Sequence, residues 1–230
     1  MFSRRLNIDI EPNELTLLYN AKKKHGERIL DLTSTNPTKL DFNYDVKHIL
    51  KHFIDERSLV YEPDPRGLLL AREEISKYYS EIGKDVSPDD IFVVPSTSEA
   101  YSYLFKLLLD TDDEVLIPQP CYPLFEFLAK LDSGRVVYYP LVYDYRGGWT
   151  PDYIMLEKKI TPKTKAILII NPNNPTGSYL KKEDFQKFNM LAEKNNLSLI
   201  VDEVFSDYEI SADETALKTT AGLESNMTFI

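Results

Sequence analysis

The strongest constraint on this chain is an alternation. From Ile91 to Asp202, short apolar runs and amphipathic segments succeed one another, with turn residues between them. Strands are predicted at Ile91–Val94, Val115–Ile117, Val136–Tyr139, Ala166–Ile170 and Leu197–Val201. Helices are predicted at Ser98–Leu109, Leu124–Leu131, Asp152–Ile160 and Glu183–Lys194, and Gly147-Gly148 marks a turn. Strand, helix, strand in regular succession predicts an α/β fold, a mostly parallel sheet with helices on both faces. The runs Ile91-Phe92-Val93-Val94 and Ile167-Leu168-Ile169-Ile170 do not alternate with polar residues, which is the pattern of strands buried on both sides.

The flanks are less regular. Leu15, Leu18 and Tyr19 fall at helical spacing within Asn13–Lys24, and Gly26 follows as a stop. Ile29–Leu32 reads as a short strand, and Val46, Ile49, Leu50 and Phe53 mark a second helix. A proline-rich turn, Tyr61–Gly67, precedes a long helix from Leu68 to about Ile82 that Gly83 can close. Asn226–Ile230 reads as the start of a further strand with nothing to close it. Chain termini usually reach the surface, so the reading frame is expected to continue past Ile230.

Charge and cysteine usage narrow the function classes. The chain has 230 residues, room for one large domain or one and a half, and a net charge of −10. Binders of nucleic acid or anionic membrane carry a basic face, and the one basic run, Lys22-Lys23-Lys24, suits the end of a helix instead. Cys121 is the only cysteine, which excludes an internal disulfide and a CxxC metal site. No stretch reaches the ~18 apolar residues of a membrane span. The segment Met1–Asp9 lacks the apolar stretch of a secretory signal. The expected location is the cytoplasm.

In open α/β sheets ligands bind beyond the carboxyl ends of the strands, so the residues there are the candidates. After Val94 come Pro95-Ser96-Thr97-Ser98-Glu99, entering a helix. Hydroxyls and free N–H groups at a helix start suit a phosphate, but Ser96 or Thr97 with Glu99 also reads as an ordinary helix cap. After Ile117 comes Tyr122 between Pro120 and Pro123, placed either to stack on a flat ring or to pack over the sheet edge. After Ile170 comes Asn171-Pro172-Asn173-Asn174-Pro175-Thr176-Gly177, a long turn stiffened by two prolines that suits holding the Asn174 amide still. After Val201 comes Asp202, a helix cap if alone, but in company with the other three able to pair with a protonated ring nitrogen. Four polar features at successive strand ends weigh more than any one of them.

Asn174-Pro175-Thr176-Gly177, Asp202-Glu203-Val204 and Tyr61…Pro65-Arg66-Gly67 resemble the class I/II aminotransferases, pyridoxal-phosphate (PLP) enzymes of fold type I. The resemblance spans nearly the whole chain, in the family's order. It implies an N-terminal arm and part of a small domain over 1–40, and an incomplete PLP-binding large domain over 41–230. It implies that Asp202 pairs with the PLP ring nitrogen and keeps it protonated, so that the ring can accept electrons. By the same resemblance Asn174 bonds the ring's phenolic oxygen, Tyr122 stacks on the ring, and Ser96, Thr97 and Ser98 cradle the phosphate. Tyr61 would reach the cofactor phosphate of a second subunit, which implies a homodimer. Thr35-Asn36-Pro37 falls near the family's substrate-carboxylate segment, where glycine usually stands at the position of Thr35.

Two departures accompany the resemblance. Phe205 stands where the family commonly has a tyrosine that bonds the phenolic oxygen, so by the resemblance a raised aldimine pKa or a weaker cofactor orientation is expected unless another donor compensates. The family's Schiff-base lysine follows the strand that Asn226–Ile230 begins, and no lysine follows Lys218. The expected function is transfer of an amino group between an amino acid and a 2-oxo acid, with no catalytic residue in this portion and no turnover by it alone. A PLP-dependent lyase of the same fold, or a truncated non-catalytic product, are the rivals.

Overall fold

The computed structural model describes residues 3, 5, 11–32, 36–145, 147–209, 213–225 and 227–230. Thr35 and Asn226 lie outside them. The chain divides into two compact units, Asn7–Pro63 and one built on Asp64–Ile230.

In the smaller unit α1 (Glu14–Lys24) begins where the Asn13 side chain accepts a hydrogen bond from the Thr16 N–H at 2.8 Å. The three lysines occupy its last turn, as its dipole favours. Helix α2 (Val46–Leu50) is capped in the same way by Asp45 and runs on into a 3-10 turn, Lys51–Phe53. The predicted strand at Ile29–Leu32 does not form. A strand needs a neighbour to satisfy its N–H and C=O groups, and this unit contains no strand among its described residues.

The larger unit opens with α3 (Leu69–Glu81). Its one buried residue is Arg72, whose guanidinium donates to the carbonyls of Gly67 at 3.1 Å and Pro88 at 2.8 Å, and to Asp64 Oδ2 at 3.0 Å. One cation thereby ties down the turn that precedes the helix. Helix α4 (Thr97–Leu108) follows. Then come β1 (Glu114–Gln119), α5 (Leu124–Leu131), β2 (Arg135–Asp144), β3 (Gly148–Pro151), α6 (Tyr153–Lys159) and β4 (Thr164–Ile170). The chain ends with α7 (Lys182–Asn195), β5 (Ser198–Asp202) and β6 (Thr228–Phe229).

The six strands among the described residues lie in the order β3-β2-β1-β4-β5-β6, all parallel except β3, which pairs antiparallel to β2. Strands β1, β4 and β5 are buried on both faces, as their unbroken apolar runs predict. On one face Val115, Ile117, Ala166, Leu168 and Ile200 pack with Phe105 of α4 and Phe125 of α5. On the other, Leu116, Ile167, Ile169, Leu199 and Val201 pack with Leu156 of α6 and Phe185 and Phe188 of α7. The order places β2 on one side of β1 and β4 on the other. The β1–β4 gap is therefore the point where the winding reverses, and there the loops leaving the two strands splay apart.

Two further departures from the sequence reading stand out. The predicted strand Ile91–Val94 is not in the sheet. Phe92 is 65% exposed, and the Val93 N–H bonds the Arg66 carbonyl at 2.8 Å rather than a strand. The run has a buried strand's composition, but no strand lies beside it among the described residues. The Gly147-Gly148 turn is the tip of the β2–β3 hairpin, in which Asp144 pairs with Gly148 and the Tyr143 and Trp149 rings lie 5.3 Å apart.

Candidate functional site

The sequence-predicted candidates of the larger unit lie at or follow the carboxyl ends of β1, β4 and β5 or stand at the start of α4. Adjoining bonds tie these ends together. The Asn171 N–H after β4 donates to the Asp202 carbonyl at 2.8 Å, and Asn173 Nδ2 donates to the Pro120 carbonyl beyond β1 at 3.4 Å.

Asp202 is the last residue of β5. Its Oδ1 accepts the Val204 N–H at 3.0 Å, and its Oδ2 accepts the Tyr101 hydroxyl at 2.6 Å. Tyr101 was absent from the sequence-predicted set. It lies on the inward stripe of α4 with Phe105, 6% exposed, its ring 4.9 Å from that of Phe125. Burial first, then the adjacent Asp202 charge, pushes its hydroxyl well above the ordinary range, so it remains a donor. The available signal was a tyrosine among apolar residues at i, i+4 spacing, since a buried phenol needs an acceptor.

In the loop after β4 two of the three asparagine amides are engaged by other groups of the chain. Asn171 is fully buried, donating to the Leu217 carbonyl at 2.7 Å and accepting the Leu180 N–H at 2.9 Å. Asn173 accepts the Thr176 hydroxyl at 2.9 Å, while its backbone bonds Ser178 and Gly177. The Asn171-Pro172 and Asn174-Pro175 bonds are cis. The Asn174 amide, partly exposed, makes no hydrogen bond with any described residue.

Ser96 caps α4, its Oγ accepting the Glu99 N–H at 3.2 Å, so the ordinary capping role is realised. The N–H groups of Thr97 and Ser98 precede the intrahelical ladder, and their hydroxyls find no partner among the described residues. Tyr122 is 48% exposed and touches Phe125 edge-on at 6.2 Å, leaving much of its ring open. Beside it, burial pushes the Cys121 thiol up to about 11, which keeps it protonated and poorly nucleophilic. Phe205 is partly exposed, its ring edge-on to Tyr208 at 6.0 Å. Tyr61 belongs to the smaller unit, where it is 89% exposed.

The neighbour of Asp202 faces elsewhere. Glu203 accepts the Thr219 hydroxyl at 2.6 Å and the Thr220 N–H and hydroxyl at 2.7 and 2.9 Å. Burial nonetheless holds its pKa above the ordinary carboxylate value. It anchors the segment leading to β6, whereas the Asp202 carboxylate meets Tyr101 of α4 and the Val204 N–H.

The arrangement can therefore do three things. It presents a steadied carboxylate to a cationic donor, a free amide to an oxygen, and open N–H and hydroxyl groups at a helix start to an anion. A mostly parallel, doubly wound sheet with such polar groups beyond its switch point is the architecture of a ligand-binding α/β fold. The model of the family described as aminotransferase class I and II matches residues 27–229. Glutamate-pyruvate aminotransferase AlaA of Escherichia coli is 33% identical over 192 residues, which cover 82% of this chain and 47% of that protein. Alanine aminotransferase of Mycobacterium tuberculosis is 36% identical over 185 residues, 78% of this chain and 42% of the relative. Among solved structures, alanine aminotransferase from Pyrococcus furiosus superposes with a TM-score of 0.78 at 31% identity, covering 95% of this chain and 56% of its own. Aspartate aminotransferase from Thermotoga maritima gives 0.73 at 30%, covering 93% and 57%. The chain belongs to the aminotransferase class I and II family, and its sheet is that of fold type I. It spans about half the length of the curated relatives it matches.

Proposed function

We propose that this chain supplies the pyridoxal-phosphate site of an aminotransferase that moves an amino group between an amino acid and a 2-oxo acid. The observation that carries the reading is the pairing of a steadied Asp202 carboxylate with an unengaged Asn174 amide, on adjacent strand ends. The residues present fit the cofactor, because each free group has a counterpart on it. Asp202 would hold a proton on the ring nitrogen, since an anion at a half-buried site favours a protonated neighbour. Asn174 Nδ2 would donate to the phenolic oxygen. The Thr97 and Ser98 N–H groups and the Ser96–Ser98 hydroxyls would bind the phosphate at the positive end of α4. Tyr122 would cover a ring face, and Phe205 offers an apolar edge with no donor. When bound, the cofactor supplies a protonated ring that accepts electron density from the substrate.

Several further parts belong to the same proposal. Tyr61, almost fully exposed, would reach the phosphate bound by a second copy of the chain, making the protein a homodimer. Residues 1–40 would form an arm and part of a small domain, and 41–230 the large domain. The substrates are small molecules. The described residues include no helix long and apolar enough to cross a membrane. Cytoplasmic residence is supported by the single cysteine.

Two measurements test the reading. Titration of the chain with PLP should show saturable binding that inorganic phosphate competes away, and absence of binding overturns the site. Product analysis of the native protein should find a 2-oxo acid together with a new amino acid. Release of free ammonia would indicate a lyase instead.

A further inference from the structure

We propose that Tyr101 is a positioning residue, which aims the Asp202 carboxylate at a ring nitrogen without neutralising it. The inference rests on the cofactor reading above and deepens it. Tyr101 and Val204 approach Asp202 from different elements, one donor on each oxygen, at 2.6 and 3.0 Å. Two donors on opposite oxygens fix the rotation of the carboxylate about its own axis. Each oxygen has two lone pairs, so each keeps one for a further donor.

The identity of the two donors matters. An arginine or lysine in the place of Tyr101 would cancel the charge that must attract a protonated ring. A neutral phenol and a backbone N–H donate to the carboxylate without adding a charge of their own. Position is fixed independently. The Tyr101 ring is wedged 4.9 Å from Phe125 and 5.9 Å from Phe105, on a helix whose other inward residues are apolar. A phenylalanine would fill the same space, so the hydroxyl is the part that packing does not require. Tyr101 also joins the candidate groups physically. It lies on the helix that begins at Ser96, its ring meets Phe125, which meets Tyr122, and its hydroxyl meets Asp202.

The test compares PLP with its analogue in which carbon replaces the ring nitrogen. Affinities are measured by calorimetric titration of the chain, of Tyr101→Phe, of Asp202→Asn and of the double variant. The wild-type chain should prefer PLP. Tyr101→Phe should weaken PLP binding about tenfold, the worth of one hydrogen bond to a charged group, while changing analogue binding less than about twofold. In the Asp202→Asn background Tyr101→Phe should have no further effect on the preference, since the two act through one contact. Tyr101→His, which keeps an N–H donor, should recover part of the preference. Circular dichroism checks each fold. Equal weakening of both ligands by Tyr101→Phe would show a packing role alone and overturn the inference. An unchanged preference for PLP in that variant also overturns it, while leaving the cofactor reading standing. A wild-type chain that does not distinguish the two ligands defeats the cofactor reading, and the inference with it.

Discussion

Asn171, Asn173 and Asn174 lie within four residues, yet their amides meet different surroundings. Asn171 is buried with its amide satisfied by two backbone groups from distant turns. Asn171→Ala leaves the Leu217 carbonyl and the Leu180 N–H unpaired in the interior, so the chain should lose about 2–4 kcal/mol in urea unfolding. Asn174→Ala removes no side-chain hydrogen bond to a described residue and should stay within about 0.5 kcal/mol of the parent, while weakening PLP binding in the titration above. Equal destabilisation by both would contradict this division of roles. Glu203 offers a pH test. Its folded-state pKa is raised above the 4.5 of a free side chain, mainly by burial. Its contribution to stability is then largest below that value and declines as pH rises through the folded-state pKa. Glu203→Gln does not titrate. The thermal midpoint of Glu203→Gln should therefore gain on the parent as pH rises from about 4 toward 7, the direction in which the buried carboxyl ionises. A thermal midpoint of Glu203→Gln that falls relative to the parent over this range would mean the carboxylate is better stabilised than its burial implies.

Among the larger pieces, the turn before α3 and the segment Ile91–Val94 hold each other. Gly67 has φ +86°, and a Cβ there would lie 2.7 Å from Val93 Cβ. Both the backbone angle and the close approach require glycine. Gly67→Ala should cost about 2 kcal/mol or more, combining left-handed strain with overpacking, read as a shift in denaturant midpoint. A shift within error would mean that the two segments are free to separate. Arg72 secures the same turn from the helix side through Gly67 and Asp64, and reaches the Pro88 carbonyl just before Ile91. This small assembly sets where α4 begins, because only Val94 and Pro95 separate Val93 from Ser96.

Strand β6 pairs with β5 at two positions, and among the described residues no strand lies on its outer side. Open N–H and C=O groups on an edge with apolar residues beside them invite pairing with another chain. Met227 and Ile230 flank β6 and are more than half exposed. The purified chain should therefore associate as its concentration is raised in sedimentation velocity, and Ile230→Lys should reduce that association. Association unaffected by the lysine would direct attention to another surface.

Composition and periodicity were sufficient for the alternating α/β order, the mostly parallel sheet, the seven α-helices among the described residues and the polar groups at strand ends. These are local properties: a buried strand's apolar run and a helix's stripe are written in consecutive residues. Helix starts were equally legible, since Asn13, Ser96 and Asp152 cap with their own side chains. Ile29–Leu32 and Ile91–Val94 were misread because a strand is defined by its neighbour, and no neighbour is encoded in four residues. The β2–β3 hairpin was missed because two glycines mark a turn without stating what pairs across it. Tyr101 depends on folding most of all. It stands 101 residues before Asp202, and only the packing of α4 across the sheet brings the phenol to the carboxylate. Likewise, nothing local separates Asn174 from Asn171 and Asn173. Which amide is left free depends on where the Leu217 and Pro120 carbonyls come to lie, and folding alone brings those distant groups to the loop.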